Sequence, residues 1–184
     1  MRYAIRALDG EASRNAFDCG EPALNHYLQR FATQDVRRGV TRVFIASPAG
    51  QPETISGFYT LSAGSVAAKS LPEKIGKRLP RYPAPVALLG RLAVGQAFQG
   101  AGLGSILLAD ACQRVAGASQ TLAVAGIVVD AKSDSAGSFY KHFGFFELPG
   151  QPGRWILPRS SCWTTTGSKR VYLNVNTSLR EITS

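Results

Sequence analysis

The sequence is poor in the residues that build disulfide frameworks and metal centres. Of its 184 residues, three are cysteines and two are histidines. Cys19, Cys112 and Cys162 are odd in number, widely spaced and not arranged as C-x-x-C, so they predict reduced thiols. We therefore expect no disulfide framework and no bound metal, and we expect the protein to work in the cytoplasm.

Long apolar runs are also lacking. No stretch reaches the roughly 18 apolar residues that a membrane-spanning helix needs. Residues 1–9 lack the apolar region of a signal peptide, so we expect no export and no membrane partner. Hydrophobic residues make up 45% of the chain and charged residues 18%, a composition typical of a globular protein and not of a disordered one.

Acidic residues are scarce relative to basic ones. The chain has 12 acidic and 21 basic residues, a formal net charge of +9, and this excess favours an anionic partner. Between residues 69 and 91 the only acidic residue is Glu73. The candidate nucleic-acid-binding residues in and beside this segment are Lys74, Lys77, Arg78, Arg81 and Arg91. A solvated surface that keeps the protein soluble, or charge that serves a phosphorylated cofactor, remains an open alternative.

A glycine-rich turn lies between an apolar run, residues 85–94, and an amphipathic stretch, residues 103–115. The turn reads Gln99-Gly100-Ala101-Gly102-Leu103-Gly104, which differs from the dinucleotide-binding and Walker patterns. A strand that passes through such a turn into a helix exposes unpaired N–H groups at the positive end of that helix, where a phosphate chain binds. The alternative is a tight connection without a ligand.

Hydrophobic periodicity predicts an α/β fold with a mixed sheet. The predicted strands are residues 2–8, 43–46, 55–62, 85–94, 122–129, 145–148 and 154–157, with a further one at 170–175. A helix from Pro22 to Gly39 buries one face, formed by Leu24, Tyr27, Leu28, Phe31 and Ala32. Further helices are predicted at 103–115 and 135–142.

Several motifs together resemble the GNAT superfamily of acetyl-CoA-dependent N-acetyltransferases. They are Leu88-Leu-Gly-Arg-Leu-Ala-Val94, the glycine turn, Gly126-Ile-Val-Val-Asp-Ala131 and Ala136-x-x-Phe-Tyr140-x-x-x-Gly144-Phe145. The resemblance covers residues 1–158 as one acetyltransferase domain and leaves residues 159–184 as a Ser/Thr-rich tail. It implies a central, mostly antiparallel sheet of about six or seven strands, splayed at the cofactor site and flanked by about four helices.

The resemblance also implies where acetyl-CoA binds. Backbone groups of Leu92, Ala93 and Val94 pair with the pantetheine amides as a neighbouring strand would. The pyrophosphate contacts are the backbone amides of Gln99, Gly100, Ala101, Gly102, Leu103, Gly104 and Ser105. Ser133 and Phe139 are further cofactor contacts. Two positions depart from common family choices, since Gln99 carries no charge and Ser133 stands where many relatives have Asn.

Tyr140 is the catalytic residue that the resemblance implies. Attack of an amine on a thioester expels a thiolate, which a tyrosine hydroxyl can protonate. Asp130 and Glu147 are candidate bases, but an α-amine titrates near pH 8 and does not require one. The alternative for Tyr140 is a tyrosine that is half-buried on a helix face.

The N-terminal part resembles one branch of the superfamily. Phe17-Asp-Cys-Gly20, followed by Leu24-x-x-Tyr-Leu28 and Ala32, is similar to the toxin acetyltransferases of bacterial toxin–antitoxin pairs, of the TacT and AtaT kind. This implies an aminoacyl-tRNA acceptor, a block of translation and a cognate antitoxin, and it leaves a homodimer open. The alternatives are an acetyltransferase for a small amine or a protein N-terminus, and a non-catalytic module that binds acetyl-CoA or nucleic acid.

Overall fold

A computed structural model describes residues 2–10, 12–71, 73, 83–164 and 171–172. Its strands are β1 (Tyr3–Ala7), β2 (Arg42–Pro48), β3 (Gly57–Val66), β4 (Ala84–Val94), β5 (Gly126–Asp130), β6 (Phe146–Glu147), β7 (Arg154–Pro158), β8 (Trp163–Thr164) and β9 (Val171–Tyr172). Its α-helices are α1 (Pro22–His26), α2 (Ala32–Arg37), α3 (Leu103–Ala118), α4 (Asp134–His142) and α5 (Arg159–Cys162), and a π-helical segment (Tyr27–Phe31) joins α1 to α2.

Strands β1 to β7 form one sheet, in the order β1-β2-β3-β4-β5-β7-β6. The pairs β1–β2, β2–β3, β5–β7 and β6–β7 are antiparallel. Strands β8 and β9 pair separately as a two-stranded sheet. The mostly antiparallel seven-stranded sheet confirms the predicted fold class.

The chain divides into two units, which we describe in turn. The first unit contains Met1–Ala63 and Leu88–Ala111, and the second contains Gly64–Ala87 and Cys112–Ser184. The predicted boundary between a domain at residues 1–158 and a tail at 159–184 stays a prediction.

The core of the first unit lies between its strands and the helical segment at residues 22–37. Alternation along β2 and β3 sends Val43, Ile45 and Phe58 into one cluster, where they meet Tyr27 and Leu28. The predicted helix is therefore present and amphipathic. Its regular periodicity does not hold throughout, because the π-helical turn is wider than an α-helical turn and shifts the faces that follow it.

Phe31 shows the consequence of that shift. The sequence pattern placed it on the buried face, and this prediction was wrong, since its side chain is 45% exposed. Phe31 ends the π-helical segment, whereas Ala32 next to it, which was also predicted on the buried face, is fully buried.

The second unit contains β5, whose Ile127, Val128 and Val129 are fully buried. The predicted strand started four residues too early: Leu122 is 64% exposed and its N–H donates to the Ala118 carbonyl in a turn after α3. The strand starts at Gly126, where a Cβ would collide with the Leu157 carbonyl oxygen of β7. Within the described ranges, every helix is too short or too polar to span a bilayer.

Candidate active site

The glycine turn of the first unit leads directly into α3. Gly100 and Gly102 have φ of +77° and +79°, a conformation that glycine adopts without steric penalty. A Cβ built on either residue meets nothing within 4 Å. The glycines therefore serve the path of the backbone and leave open space beside it, in which a ligand can approach the main chain.

Backbone amides line this open space. The N–H groups of Ser105 and Ile106 donate to the Gly102 carbonyl, at 3.1 and 3.2 Å, and that of Gln99 donates to the Gln96 carbonyl. Among the described residues, the amides from Gly100 to Gly104 have no acceptor. They are orphan donors at the start of a 16-residue helix.

The charge distribution around these amides suits an anion. The first turn of α3 carries no acidic residue, so the positive end of the helix dipole is not neutralised there. Unpaired N–H groups, a positive helix end and free space together fit the diphosphate of a coenzyme A thioester.

The side chain of Gln99 braces the turn from within. Its amide group donates to the Val94 carbonyl at 3.0 Å and to the Cys19 carbonyl at 3.1 Å. The turn is thereby tied both to the end of β4 and to the loop before α1. The N–H donors of this uncharged side chain therefore bind main-chain carbonyls of the protein, and these contacts keep the orphan amides in place.

Asp18 adds a second brace that the sequence analysis missed. Its carboxylate accepts from the Gly20 N–H at 2.8 Å, from Asn25 Nδ2 at 2.7 Å and from Gln96 Nε2 at 2.9 Å. These donors, the Gly20 N–H first, lower the pKa of Asp18, so it stays ionised. The signal was present in the Phe17-Asp-Cys-Gly20 motif, but the sequence does not show that its partner is Gln96.

A cavity of about 520 Å³ lies against this brace. Phe17, Asp18, Glu53 and Phe98 are among its lining residues, and the lining that belongs to the described part of the chain includes two carboxylates and no basic side chain. The residues from Gln99 to Ser105 do not line it. Its acidic walls do not suit a diphosphate.

In the second unit, Ser133 begins the helix that carries Phe139 and Tyr140. Its hydroxyl accepts from the Ala136 N–H at 3.2 Å and shares a hydrogen bond with Ser135 Oγ at 2.9 Å. Ser133 is thus the N-cap of α4. Its predicted contact with pantetheine stays a prediction.

Tyr140 lies in an aromatic cluster and is only 8% exposed. Its ring packs against those of Phe139 and Phe145, each at 5.3 Å between centroids. Burial raises the pKa of Tyr140 to about 12, and its hydroxyl has no hydrogen-bond partner in the described part of the chain. The phenol is therefore protonated at neutral pH and free to donate.

The two candidate bases have structural partners. Asp130 forms an ion pair with Arg154 at 3.6 Å, and the Glu147 carboxylate accepts from the Gly153 N–H at 2.7 Å. Both carboxylates hold strand ends of the second unit. Neither contact adds support for a role as a base.

Of the predicted nucleic-acid-binding residues, the structure describes Arg91. Its guanidinium lies over the ring of Tyr27, 3.6 Å from the centroid. Lys74, Lys77, Arg78 and Arg81 lie outside the described residues.

Two buried acids of the second unit predict a loss of stability in alkali. Burial raises the pKa of both Tyr140 and Cys112 to about 12, from 10.0 and 9.0. The unfolded chain therefore releases these protons first. The free energy of unfolding should fall by roughly 1.4 kcal/mol per pH unit above about pH 9 for Cys112, and by a similar further amount above about pH 10 for Tyr140. Urea unfolding at several pH values between about 8 and 11 measures the slope. Cys112→Ala should reduce it, and an unchanged slope in that variant would contradict the assignment.

The sequence matches known proteins over most of its length. The family profile described as acetyltransferase (GNAT) domain matches residues 42–147. A tRNA-acetylating toxin of Mycobacterium tuberculosis (strain ATCC 25618 / H37Rv) is 40% identical over 154 residues, which are 84% of this chain and 90% of the toxin.

Solved structures agree with this match. AtaT complexed with acetyl-methionyl-tRNAfMet superposes with a TM-score of 0.82 at 33% identity, over 87% of this chain and 96% of that one. A tyrosine-to-phenylalanine mutant of AtaT, bound to acetyl-CoA and the C-terminus of the antitoxin AtaR, gives a TM-score of 0.73 at 30% identity, over 88% and 96%. The fold, the orphan amides and these matches lead to one conclusion: the chain belongs to the GNAT family of acetyltransferases.

Proposed function

We propose that this protein transfers the acetyl group of acetyl-CoA to the α-amine of aminoacyl-tRNA and thereby blocks translation. The observation that carries the proposal is the row of orphan amides from Gly100 to Gly104 at the start of α3, in a chain 40% identical to a tRNA-acetylating toxin. The orphan amides offer hydrogen bonds to the diphosphate of acetyl-CoA, and the identity to the tRNA-acetylating toxin indicates the acceptor.

The donor is held along β4 and the turn that follows it. Leu92, Ala93 and Val94 offer strand backbone to the pantetheine amides, and the turn amides bind the diphosphate. Ser133 and Phe139 are proposed as further contacts. The relative with bound acetyl-CoA supports this choice of donor.

Tyr140 is proposed as the general acid. The amine nitrogen attacks the thioester carbonyl, the C–S bond breaks, and the Tyr140 hydroxyl donates its proton to the departing sulfur. The attacking amine belongs to the neutral fraction that a pKa near 8 leaves at pH 7. After the attack its nitrogen releases a proton to water, and Tyr140 regains its proton from water. Burial raises the pKa of Tyr140 to about 12, so the phenol keeps its proton at neutral pH and is present as a hydrogen-bond donor when negative charge develops on the departing sulfur.

The acceptor is a polyanion, and the net charge of +9 suits it. Phosphate contacts by Lys and Arg supply most of the sequence-independent affinity for nucleic acids. The proposed contacts are Lys74, Lys77, Arg78, Arg81 and Arg91. A cationic small amine would be repelled by the same field, which favours the RNA over that alternative.

A toxin of this kind needs a neutralising partner. The AtaT structure with the C-terminus of AtaR supports the proposal of a cognate antitoxin for this chain as well. The proposed substrate of the toxin is aminoacyl-tRNA, so we propose that the toxin acts in the cytoplasm. We further propose that residues 1–158 form the acetyltransferase domain and residues 159–184 its tail.

The test is acetyl transfer to charged tRNA. The purified protein is incubated with labelled acetyl-CoA and total aminoacyl-tRNA, and we expect label on the amino acid at the RNA 3′ end. Uncharged tRNA is the control and should remain unlabelled. Label on a small amine or a protein N-terminus, with none on RNA, would favour the alternative acetyltransferase. Binding of acetyl-CoA without any transfer would favour the non-catalytic module.

A further inference from the structure

We propose that Arg91, held flat on the ring of Tyr27, binds the phosphate next to the terminal nucleoside of the acceptor RNA. This inference rests on the proposed function. It deepens that function by naming the group that positions the aminoacylated end.

The guanidinium has a fixed place and free donors. Its Cζ lies 3.6 Å from the centroid of the Tyr27 ring, at stacking distance. In the part of the chain that the structure describes, Arg91 has no ion pair and no hydrogen bond. Its side chain is exposed, so the N–H donors at the rim of the planar group are open to a ligand. A planar fork of this kind matches two oxygens of a phosphate.

The ring beneath it is rigid. Tyr27 is 5% exposed, and its ring also stacks on that of Phe58, at 6.4 Å between centroids and 21° between planes; Phe58 is fully buried. Phe58 in turn packs edge-on against Phe17. Arg91 therefore caps a row of aromatic rings that begins in the core, and little side-chain entropy remains to be lost when it binds.

The ring under Arg91 lies in an unusual stretch of backbone. Tyr27 begins the π-helical segment, a rare conformation that is frequent at functional sites. Phenylalanine at this position would keep the ring and therefore the stack.

The position of Arg91 along β4 indicates which part of the acceptor it meets. Arg91 shares one face of the strand with Ala93, and it directly precedes the Leu92–Val94 segment proposed for pantetheine. The diphosphate lies beyond the other end of that segment, from Gln99 onward. The thioester end of the arm therefore lies toward Arg91. The RNA phosphate closest to the reacting amine is the one on the 5′ side of the terminal adenosine.

The experiment compares two small acceptors that differ by one phosphate. They are an adenosine that carries an amino acid on its 3′ position through a stable amide bond, and the same compound with a 5′-phosphate. The parental protein should acetylate the phosphorylated compound with a roughly tenfold higher kcat/KM, chiefly through KM, as expected for one charge-assisted bidentate contact. Arg91→Gln should abolish this preference. Arg91→Lys, which keeps the charge and loses the fork, should restore only part of it.

Variants of Tyr27 test the stack separately from the charge. Tyr27→Leu removes the ring and should reduce the phosphate preference, whereas Tyr27→Phe keeps the ring and should rescue it. Arg42→Gln removes another exposed arginine of the same unit and is the matched control, for which we expect the parental preference. If Arg91→Gln and Arg42→Gln lose the phosphate preference equally, or if Arg91→Lys keeps the full parental preference, general electrostatic attraction explains the preference. Either result would overturn the inference that the Arg91 guanidinium binds this phosphate.

A binding measurement separates this inference from the proposed function. If the parental protein acetylates no aminoacyl acceptor, the proposed function fails. The contact between Arg91 and the phosphate can then still be tested by titrating the parental and Arg91→Gln proteins with a deacylated RNA that ends in CCA. A higher Kd for the variant supports the contact, and an equal Kd overturns it.

Discussion

Tyr140→Phe is expected to lower the rate of acetyl transfer by roughly 10²- to 10⁴-fold, the contribution typical of a positioned general acid. Binding of acetyl-CoA should persist. The loss should lie in the transition state, since in the proposed mechanism the hydroxyl acts on the sulfur only as the C–S bond breaks. Single-turnover transfer to aminoacyl-tRNA measures the rate, and calorimetry with acetyl-CoA measures the binding.

The variant should remain folded. Phenylalanine keeps the ring that packs against Phe139 and Phe145, and the hydroxyl has no partner to lose among the described residues. Tyr3→Phe, which removes a hydroxyl from β1, is the matched control and should transfer acetyl at the parental rate. A parental rate in Tyr140→Phe would remove Tyr140 from the mechanism. It would leave the acetyl-CoA site as a separate question.

Gly102→Asp is expected to weaken binding of coenzyme A by roughly hundredfold or more, because a carboxylate then stands beside the proposed diphosphate site at the protein surface. The space near Gly102 admits the side chain, since nothing lies within 4 Å of a Cβ built there. The substitution also strains the backbone, as φ is +79°. Calorimetry with coenzyme A measures the affinity, and thermal unfolding measures the strain.

Gly50→Asp separates the two effects. Gly50 lies between β2 and β3 with φ of +85° and, like Gly102, has nothing within 4 Å of a built Cβ. Both variants should therefore lose similar stability, on the order of 1–3 kcal/mol, and only Gly102→Asp should lose coenzyme A. Equal affinities in the two variants would show that the turn does not hold the diphosphate.

The Gly102→Asp prediction depends on backbone geometry that the sequence indicated well. Glycines between an apolar run and an amphipathic stretch predicted a strand, a turn and a helix, and β4 and α3 lie where they were expected. The reason is that strand and helix periods, and the special conformation of glycine, are local properties. Local patterns also predicted α4, the helix that carries Tyr140.

Local patterns failed where tertiary contacts override them. The heptad-like spacing at residues 24–32 predicted a regular α-helix that buries both Phe31 and Ala32. Phe31, at the end of a π-helical segment, is 45% exposed instead. Leu122 is apolar, but it sits in a turn because β5 is confined to the residues that pair with β7. A linear pattern contains no information about which partner strand is available.

The hydrogen bonds that hold the glycine turn in place could not be predicted from the sequence, for the same reason. Gln99 reaches back to Cys19, and Asp18 is bonded to Gln96, across nearly 80 positions of the chain. Arg91 and Tyr27 read separately as a basic residue and a core aromatic, and only folding stacks them.

The sequence alone thus determined which chemical groups the candidate site contains, and the tertiary structure determined how those groups are held in place. Glycines, an apolar strand and a tyrosine in the right order specify orphan amides and a phenol, since those groups depend on residue type and local conformation. The tertiary structure also determined which hydrogen-bonding groups are used in contacts within the protein and which stay free to bind a ligand. Hydrogen bonds and stacking act over a few ångströms in space, and residues far apart along the chain come within that range only in the folded state.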